Sequence, residues 1–216
     1  FDLWVVGADG GAPRQLTSGP AVDQPLGWLP DGSGVVFARS NDGETRTMVA
    51  PVDGGPLRLL VEHRGGNQFA VPSPNGKYVS VEISRAGEST IWVQDAASGA
   101  IRQLTTEGFE AANSSRDTWS PDSRFLVFTS RRTGTADLWT VNVETGELRQ
   151  LTTDIRDDIG HAWSPDGRWI AFVSDRGGQW DVWIVSSQGG DAIRVTNDFA
   201  RESSVRWTAG GAALYF

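Results

Sequence analysis

Four features of this sequence recur together at one spacing, and that spacing leaves few folds open. A turn-type position holds Pro30, Pro74, Pro121, Pro165 and then Ala209, at steps of 44, 47, 44 and 44 residues. A second register holds Trp4, Met48, Trp92, Trp139 and Trp183 at the same steps in a rotated order. Seven residues beyond each of these stands a glycine (Gly11, Gly55, Gly99, Gly146, Gly190), and twelve beyond stands Leu16, Leu60, Leu104, Leu151 or Val195. Four features keeping phase over five copies define an internal repeat, which must be recognised before any local reading.

The unit is clearest in His161–Thr196. An apolar run ends at Trp163-Ser164 and meets Pro165-Asp166-Gly167, where proline presets φ for the first corner and glycine takes the positive φ that closes a hairpin. The spacing predicts strands at Trp169–Ser174, Asp181–Ser186 and Ala192–Thr196, separated by Asp175-Arg176-Gly177-Gly178 and Gly189-Gly190. Four antiparallel strands repeating every ~40–45 residues are the mark of a β-propeller blade. The chain is therefore expected to be all-β, a β-propeller with five repeats in one domain over residues 1–216.

In chain order the blades are expected at about 23–60, 67–105, 114–152 and 158–196. A further blade is split between the two ends, 202–216 supplying strands one and two and 1–17 supplying strands three and four. From Phe216 to Trp4 the spacing of the complete copies asks for seven more residues, so both a ring closed by the two ends and a segment of a longer propeller fit. A closed ring removes free sheet edges and leaves a monomer. The three-residue excess of the third copy falls in the Glu107–Arg116 loop, with Phe109 and Glu110.

Eight of the ten tryptophans occupy two registers, Trp28, Trp119, Trp163 and Trp207 in strand one and Trp4, Trp92, Trp139 and Trp183 in strand three. Repetition in every blade favours packing between blades over a ligand-stacking cage. Trp180, outside both registers, is expected to matter less. Arg14, Arg58, Arg102, Arg149 and Arg194 recur on the outer fourth strand, where cationic side chains discourage edge pairing.

A net charge of −8 without a basic stripe excludes nucleic acid as the expected partner. There are no cysteines, which removes disulfides, thiolate metal sites and cysteine nucleophiles. No apolar run approaches the ~20 residues of a membrane helix, so no membrane insertion is expected. Only His63 and His161 are available as imidazole ligands, too few for a histidine-built metal centre, and neither a phosphate-binding loop nor His-Glu-x-x-His occurs. No cofactor, metal or catalytic residue is therefore expected.

Trp-Ser-Pro-Asp-Gly, then Ile-Ala-Phe-x-Ser-Asp-Arg, then Asp-x-Trp, then Leu-Thr resembles the repeat of the TolB-type propellers. The likeness is nearly complete over residues 162–196, strong over 117–152 and weakest over 61–92. It implies a propeller of the kind found in the periplasmic TolB protein, which binds protein partners, in prolyl-oligopeptidase-type serine peptidases, and in oligogalacturonate lyases. A periplasmic or extracellular setting follows from the resemblance alone. A peptidase needs Gly-x-Ser-x-Gly, and the nearest approach is Gly87-Glu88-Ser89-Thr90-Ile91. The expected function is a non-catalytic scaffold for protein or peptide binding at the channel mouth and its loops. The alternative is the gating, substrate-access propeller of a prolyl-oligopeptidase-type peptidase whose catalytic domain lies outside this chain.

Five residues before the strand-one tryptophan register stand Asp23, Asn67, Ser114, Asp158 and Glu202. In a propeller these enter strand one at the channel mouth, where converging carboxylates attract a cation or a basic peptide. The simpler reading gives each side chain to its own loop backbone. Asp117 and His161 occupy equivalent places in adjacent copies and are candidates for a pair. With Phe109 and Glu110 of the long loop, these complete the candidate binding residues.

Overall fold

The computed structural model describes residues 1–61, 67–85, 88–106 and 119–216. Strands β1 (Trp4–Val5) and β2 (Arg14–Gln15) make a two-stranded antiparallel sheet. Blade one is the meander β3 (Val22–Trp28), β4 (Gly34–Asn41), β5 (Glu44–Pro51) and β6 (Arg58–Leu59); blade two is β7 (Asn67–Pro72), β8 (Tyr78–Arg85), β9 (Glu88–Asp95) and β10 (Ile101–Gln103). In blade three Trp119 bridges Leu126, followed by β11 (Phe125–Ser130), β12 (Asp137–Asn142) and β13 (Leu148–Gln150). Blade four is β14 (Asp158–Trp163), β15 (Trp169–Ser174), β16 (Asp181–Ser186) and β17 (Ile193–Arg194), and β18 (Arg206–Trp207) pairs with β19 (Leu214–Tyr215). The described residues contain no helix, hence none long and apolar enough to cross a membrane. The sheets fall into two compact units, one of residues 1–87 and 91–103, the other of residues 88–90 and 104–216.

The repeated turn works as its sequence requires. Gly32, Gly76, Ser123, Gly167 and Gly211 each donate a backbone N–H to the residue three before, Leu29, Ser73, Ser120, Ser164 and Thr208, at 2.8–2.9 Å. All five have φ between 63° and 73°, a region that favours glycine. Ser123 is the non-glycine exception. Where serine opens the turn its hydroxyl serves twice: Ser164 Oγ donates to Asp166 Oδ1 at 2.6 Å and accepts from the Trp169 N–H at 2.9 Å. A Cβ on Gly167 would meet Pro121 of the preceding blade at 3.7 Å, and one on Gly211 would meet Pro165 at 3.4 Å. The turn glycine is thus also a place of close approach between blades.

The core lies in the seams between neighbouring sheets. In the second unit Trp163, Ile170, Phe172 and Val185 of blade four pack with Val127, Leu138 and Leu151 of blade three. The other face of blade four, Ala171, Val173 and Val182, packs with Val205, Trp207 and Leu214. In the first unit Leu3 and Leu16 pack with Val35, Phe37 and Ala50, and Leu60 and Val61 with Ala70, Val79 and Val81. Alternation along each strand therefore feeds two seams.

Tryptophans contribute less to this interior than their registers suggest. Trp119 and Trp163 are buried, Trp92, Trp139, Trp183 and Trp207 are half-buried, and Trp4 and Trp28 are exposed. Among the described residues the largest fully buried side chains are Phe37, Phe172, Leu126, Leu138 and Ile170 with several valines. Trp180 is half-buried, like Trp183, and packs against the seam formed by Val173, Val182 and Val205. Arg194 does not stand as a free edge cation either. Its Nη2 reaches the buried Asp181 at 2.6 Å, which explains the Asp of Asp-x-Trp.

Candidate interaction face

The threonine of Leu-Thr shapes the end of the sheet where strand four leads into the next strand one. Thr17, Thr152 and Thr196 Oγ1 accept the N–H of Leu3, Leu138 and Val182 at 2.8–2.9 Å, tying down the start of strand three. The chain then passes through a short connection to the acidic position. There the N–H of Asp23, Asp158 and Glu202 donates to the carbonyl of Phe1, Ala136 and Trp180 respectively, at 3.0, 2.6 and 3.1 Å. These acceptors each stand three residues before a strand-three tryptophan, so the three acids occupy equivalent places. All three are buried.

Their side chains fare differently. Arg39 Nε and Nη2 grip both oxygens of Asp23 at 2.7 Å. Burial pushes the Asp23 carboxyl upward, but the Arg39 bonds, Thr17 and the Arg39 charge outweigh it and hold the group below the usual carboxylate range. Asp158 receives Arg176 Nη2 at 2.7 Å. Burial dominates there and raises the carboxyl, with the hydroxyls of Ser174 and Thr152 and the Arg176 guanidinium pulling only part of the way back. In both blades the guanidinium lies over the strand-two phenylalanine, Arg39 at 5.5 Å from the Phe37 ring and Arg176 at 5.2 Å from the Phe172 ring. The shift at Asp158 thus comes from lost hydration, not from repulsion by neighbouring carboxylates. Glu202 is 5% exposed, and neither carboxylate oxygen has a hydrogen-bond partner among the described residues.

Asn67 begins β7, and its side chain lies outside the described residues. Ser114, Phe109, Glu110 and Asp117 also lie outside them, so the expected Asp117–His161 pair has no described geometry. His161 itself is 3% exposed, with both ring nitrogens unpartnered among the described residues. Burial, reinforced by the charge of Arg206, lowers its pKa to about 4. Its equivalents one blade on and two blades back are the fully buried Val205 and Ala70, so the imidazole fills a position that is apolar in those two copies. Among the described residues no group of three or more His, Cys, Asp or Glu side chains is arranged to hold a metal ion.

The connections themselves display two residues not singled out from the pattern. Asp154 Oδ1 accepts the Arg156 N–H at 3.0 Å, and Asp198 Oδ1 accepts the Ala200 N–H at 2.8 Å. These Asx turns place Ile155 and Phe199 at the tips of consecutive strand-four-to-strand-one connections, 85% and 103% exposed. The first connection is tied down further by the Asp157 carboxylate, which takes Arg131 at 3.0 and 2.8 Å and the Ala136 N–H at 3.0 Å. The second is held by Gln179 Nε2 donating to the Asp198 carbonyl. Position four after Leu151 and Val195 was the available signal: one large apolar residue in an otherwise polar loop.

On the opposite end of the blades a groove of about 410 Å³ runs between the turns of blades three and four, lined by Asp122, Phe125, Arg149, Trp163 and Asp166. A counterpart between blades one and two is lined by Asp31, Arg58, Pro72 and Asn75. Its recurrence between the equivalent turns of two blade pairs marks it as a consequence of the repeat.

Four-stranded antiparallel meanders packed face to face at a fixed repeat define a β-propeller. The TolB beta propeller domain profile matches residues 58–153 and 109–216, and the chain belongs to that family. Its structure is similar to TolB from Acinetobacter baumannii, with a TM-score of 0.73 and 21% identity over 99% of this chain and 53% of that one. A putative TolB from Agrobacterium tumefaciens gives 0.69 and 25% identity over 89% of this chain and 73% of that one. A Mycobacterium tuberculosis puromycin-hydrolyzing peptidase gives 0.72 and 17% identity over 88% of this chain and 34% of that one. The chain thus spans about half of the A. baumannii TolB and about a third of the peptidase.

Proposed function

We propose that this chain is a non-catalytic propeller domain that binds a protein or peptide on the face of its strand-four-to-strand-one connections. The observation that carries the reading is the pair Ile155 and Phe199, large apolar side chains held in full exposure by Asx turns at equivalent loop tips. Single exposed apolar residues are ordinary, but two presented by the same braced geometry on successive blades form a display. Covering one such side chain is worth roughly 1.5–3 kcal/mol, and loops on a rigid scaffold are where recognition concentrates. The family resemblance supports a protein partner and a periplasmic or extracellular setting.

A second reading, the access propeller of a peptidase, has the propeller match to the puromycin-hydrolyzing enzyme in its favour. A Gly-x-Ser-x-Gly domain in the parent gene would select it. Photo-crosslinking tests the first reading. A benzoylphenylalanine at position 155 or 199 is expected to trap one common partner in the native host, and the same probe at Thr145, in the turn between strands three and four, is not. Equal trapping from position 145 would remove the assignment to this face.

A further inference from the structure

Resting on that reading, we propose that Arg176 is a positioning residue for recognition, holding the connection that displays Ile155 by joining Asp154 to the buried Asp158. One nitrogen, Nη2, stands 2.5 Å from Asp154 Oδ2 and 2.7 Å from Asp158 Oδ2. Asp154 is also the residue whose Oδ1 closes the Asx turn onto the Arg156 N–H at 3.0 Å. A single carboxylate therefore carries both the turn that aims Ile155 outward and the link that fixes that turn to blade four.

Neutralising Asp158 does not by itself call for this arrangement. At Asp23, in the equivalent place of blade one, Arg39 gives Nε and Nη2 to the two oxygens of one carboxylate, a bidentate pair that adds energy and geometric specificity. Arg176 offers Asp158 only Nη2 and shares it with the loop, while its Nε turns to Ser174 Oγ at 3.1 Å. The guanidinium lies 5.2 Å from the Phe172 ring and 5.1 Å from the Trp183 ring, and the side chain is only 18% exposed. The link thus starts from a side chain held by two rings.

A second, more exposed ion pair runs the other way between the same two loops, Arg156 Nη1 to Asp175 Oδ2 at 3.9 Å. Ile155 therefore stands between Asp154 and Arg156, each facing its opposite charge in Asp175-Arg176, where strand two of blade four gives way to strand three. Fixing a recognition loop before its partner arrives removes part of the ordering cost of binding.

Two variants test the link. Asp154→Asn keeps an oxygen for the Arg156 N–H and removes the charge that Arg176 meets, while Arg176→Met with Asp158→Asn removes the guanidinium without stranding a buried carboxylate. In both, hydrogen exchange of the Arg156 amide is expected to rise about ten-fold or more, as the loss of a hydrogen bond to a charged group implies, while the amides of β15 and β16 in Asp154→Asn keep wild-type protection. Arg149→Met gives up a cation's bond to Gln188 at the opposite end of the blades and is expected to leave the Arg156 rate unchanged. With benzoylphenylalanine at position 155, both link variants are expected to trap the partner several-fold less than the otherwise wild-type chain. Wild-type exchange at Arg156 in either variant, or faster exchange with undiminished trapping, overturns the role of Arg176 and leaves the interaction face in place. Absence of any trapped partner from the otherwise wild-type chain removes the face itself, and the positioning role with it, whatever the exchange rates.

Discussion

Lowering the pH from 7 to 5 should cost this protein about 2 kcal/mol of stability through His161 alone. The imidazole is 3% exposed and burial brings its pKa from 6.5 to about 4 in the folded chain. Its folded value lies below its unfolded value, so the unfolded chain takes up the proton first. The neutral form's contribution is complete above pH 6.5 and is lost as the pH falls toward 4. The full difference of 2.5 between those two values corresponds to about 3 kcal/mol at 1.36 kcal/mol per pKa unit. Two unpartnered ring nitrogens in a position that holds valine or alanine in other blades make His161→Val a mild substitution at pH 7. Urea melts of the wild type and His161→Val at pH 7, 6 and 5 should show the wild type losing about 2 kcal/mol more than the variant across that range. Asp158, whose carboxyl is raised, contributes with the opposite sign, and the comparison cancels it because both proteins carry it. Parallel loss in the two proteins would refute the burial argument.

Arg176→Met should cost about 3–5 kcal/mol, because it leaves Asp158 buried without its counter-charge; adding Asp158→Asn should recover part of that loss, read from denaturant midpoints. Thr196→Val removes the acceptor for the Val182 N–H and should cost about 1–3 kcal/mol, against no more than ~0.5 kcal/mol for Thr145→Val on the surface. Gly167→Ala forces a Cβ onto φ +71° beside Pro121 and should cost about 1–2 kcal/mol, visible as a lowered melting temperature. Ile155→Ser with Phe199→Ser should leave the melting temperature unchanged while reducing partner capture, since neither side chain packs against the core.

The fold was legible because its determinants are local and repeated. A positive-φ position at each strand-one-to-strand-two hairpin, preceded in four of the five by a proline, with apolar alternation between the turns, fixes the strands of each copy. Even the split of blade four into strands at Trp169–Ser174 and Asp181–Ser186 follows from the pattern. The site was legible only in part. Asp23, Asp158 and Glu202 share a register, but the arginines that meet the first two do not: Arg39 stands two residues after Phe37 and opposite Asp23 in the ladder, whereas Arg176 stands four after Phe172 and folds back from a loop. No fixed spacing marks them. The tryptophan registers were visible and their depth was not, since burial depends on which neighbouring strand covers each ring. Ile155 and Phe199 were in plain view in the sequence, yet their meaning comes from the Asx turns that aim them outward.

Recognition by the strand-four-to-strand-one connections is tested most directly by hydrogen–deuterium exchange of the chain, alone and bound to the partner trapped from position 199. Slowed exchange is expected at residues 153–157 and 197–203, with the turns at Ser120–Ser123 and Ser164–Gly167 unchanged. Protection confined to those turns and the groove between them would contradict it.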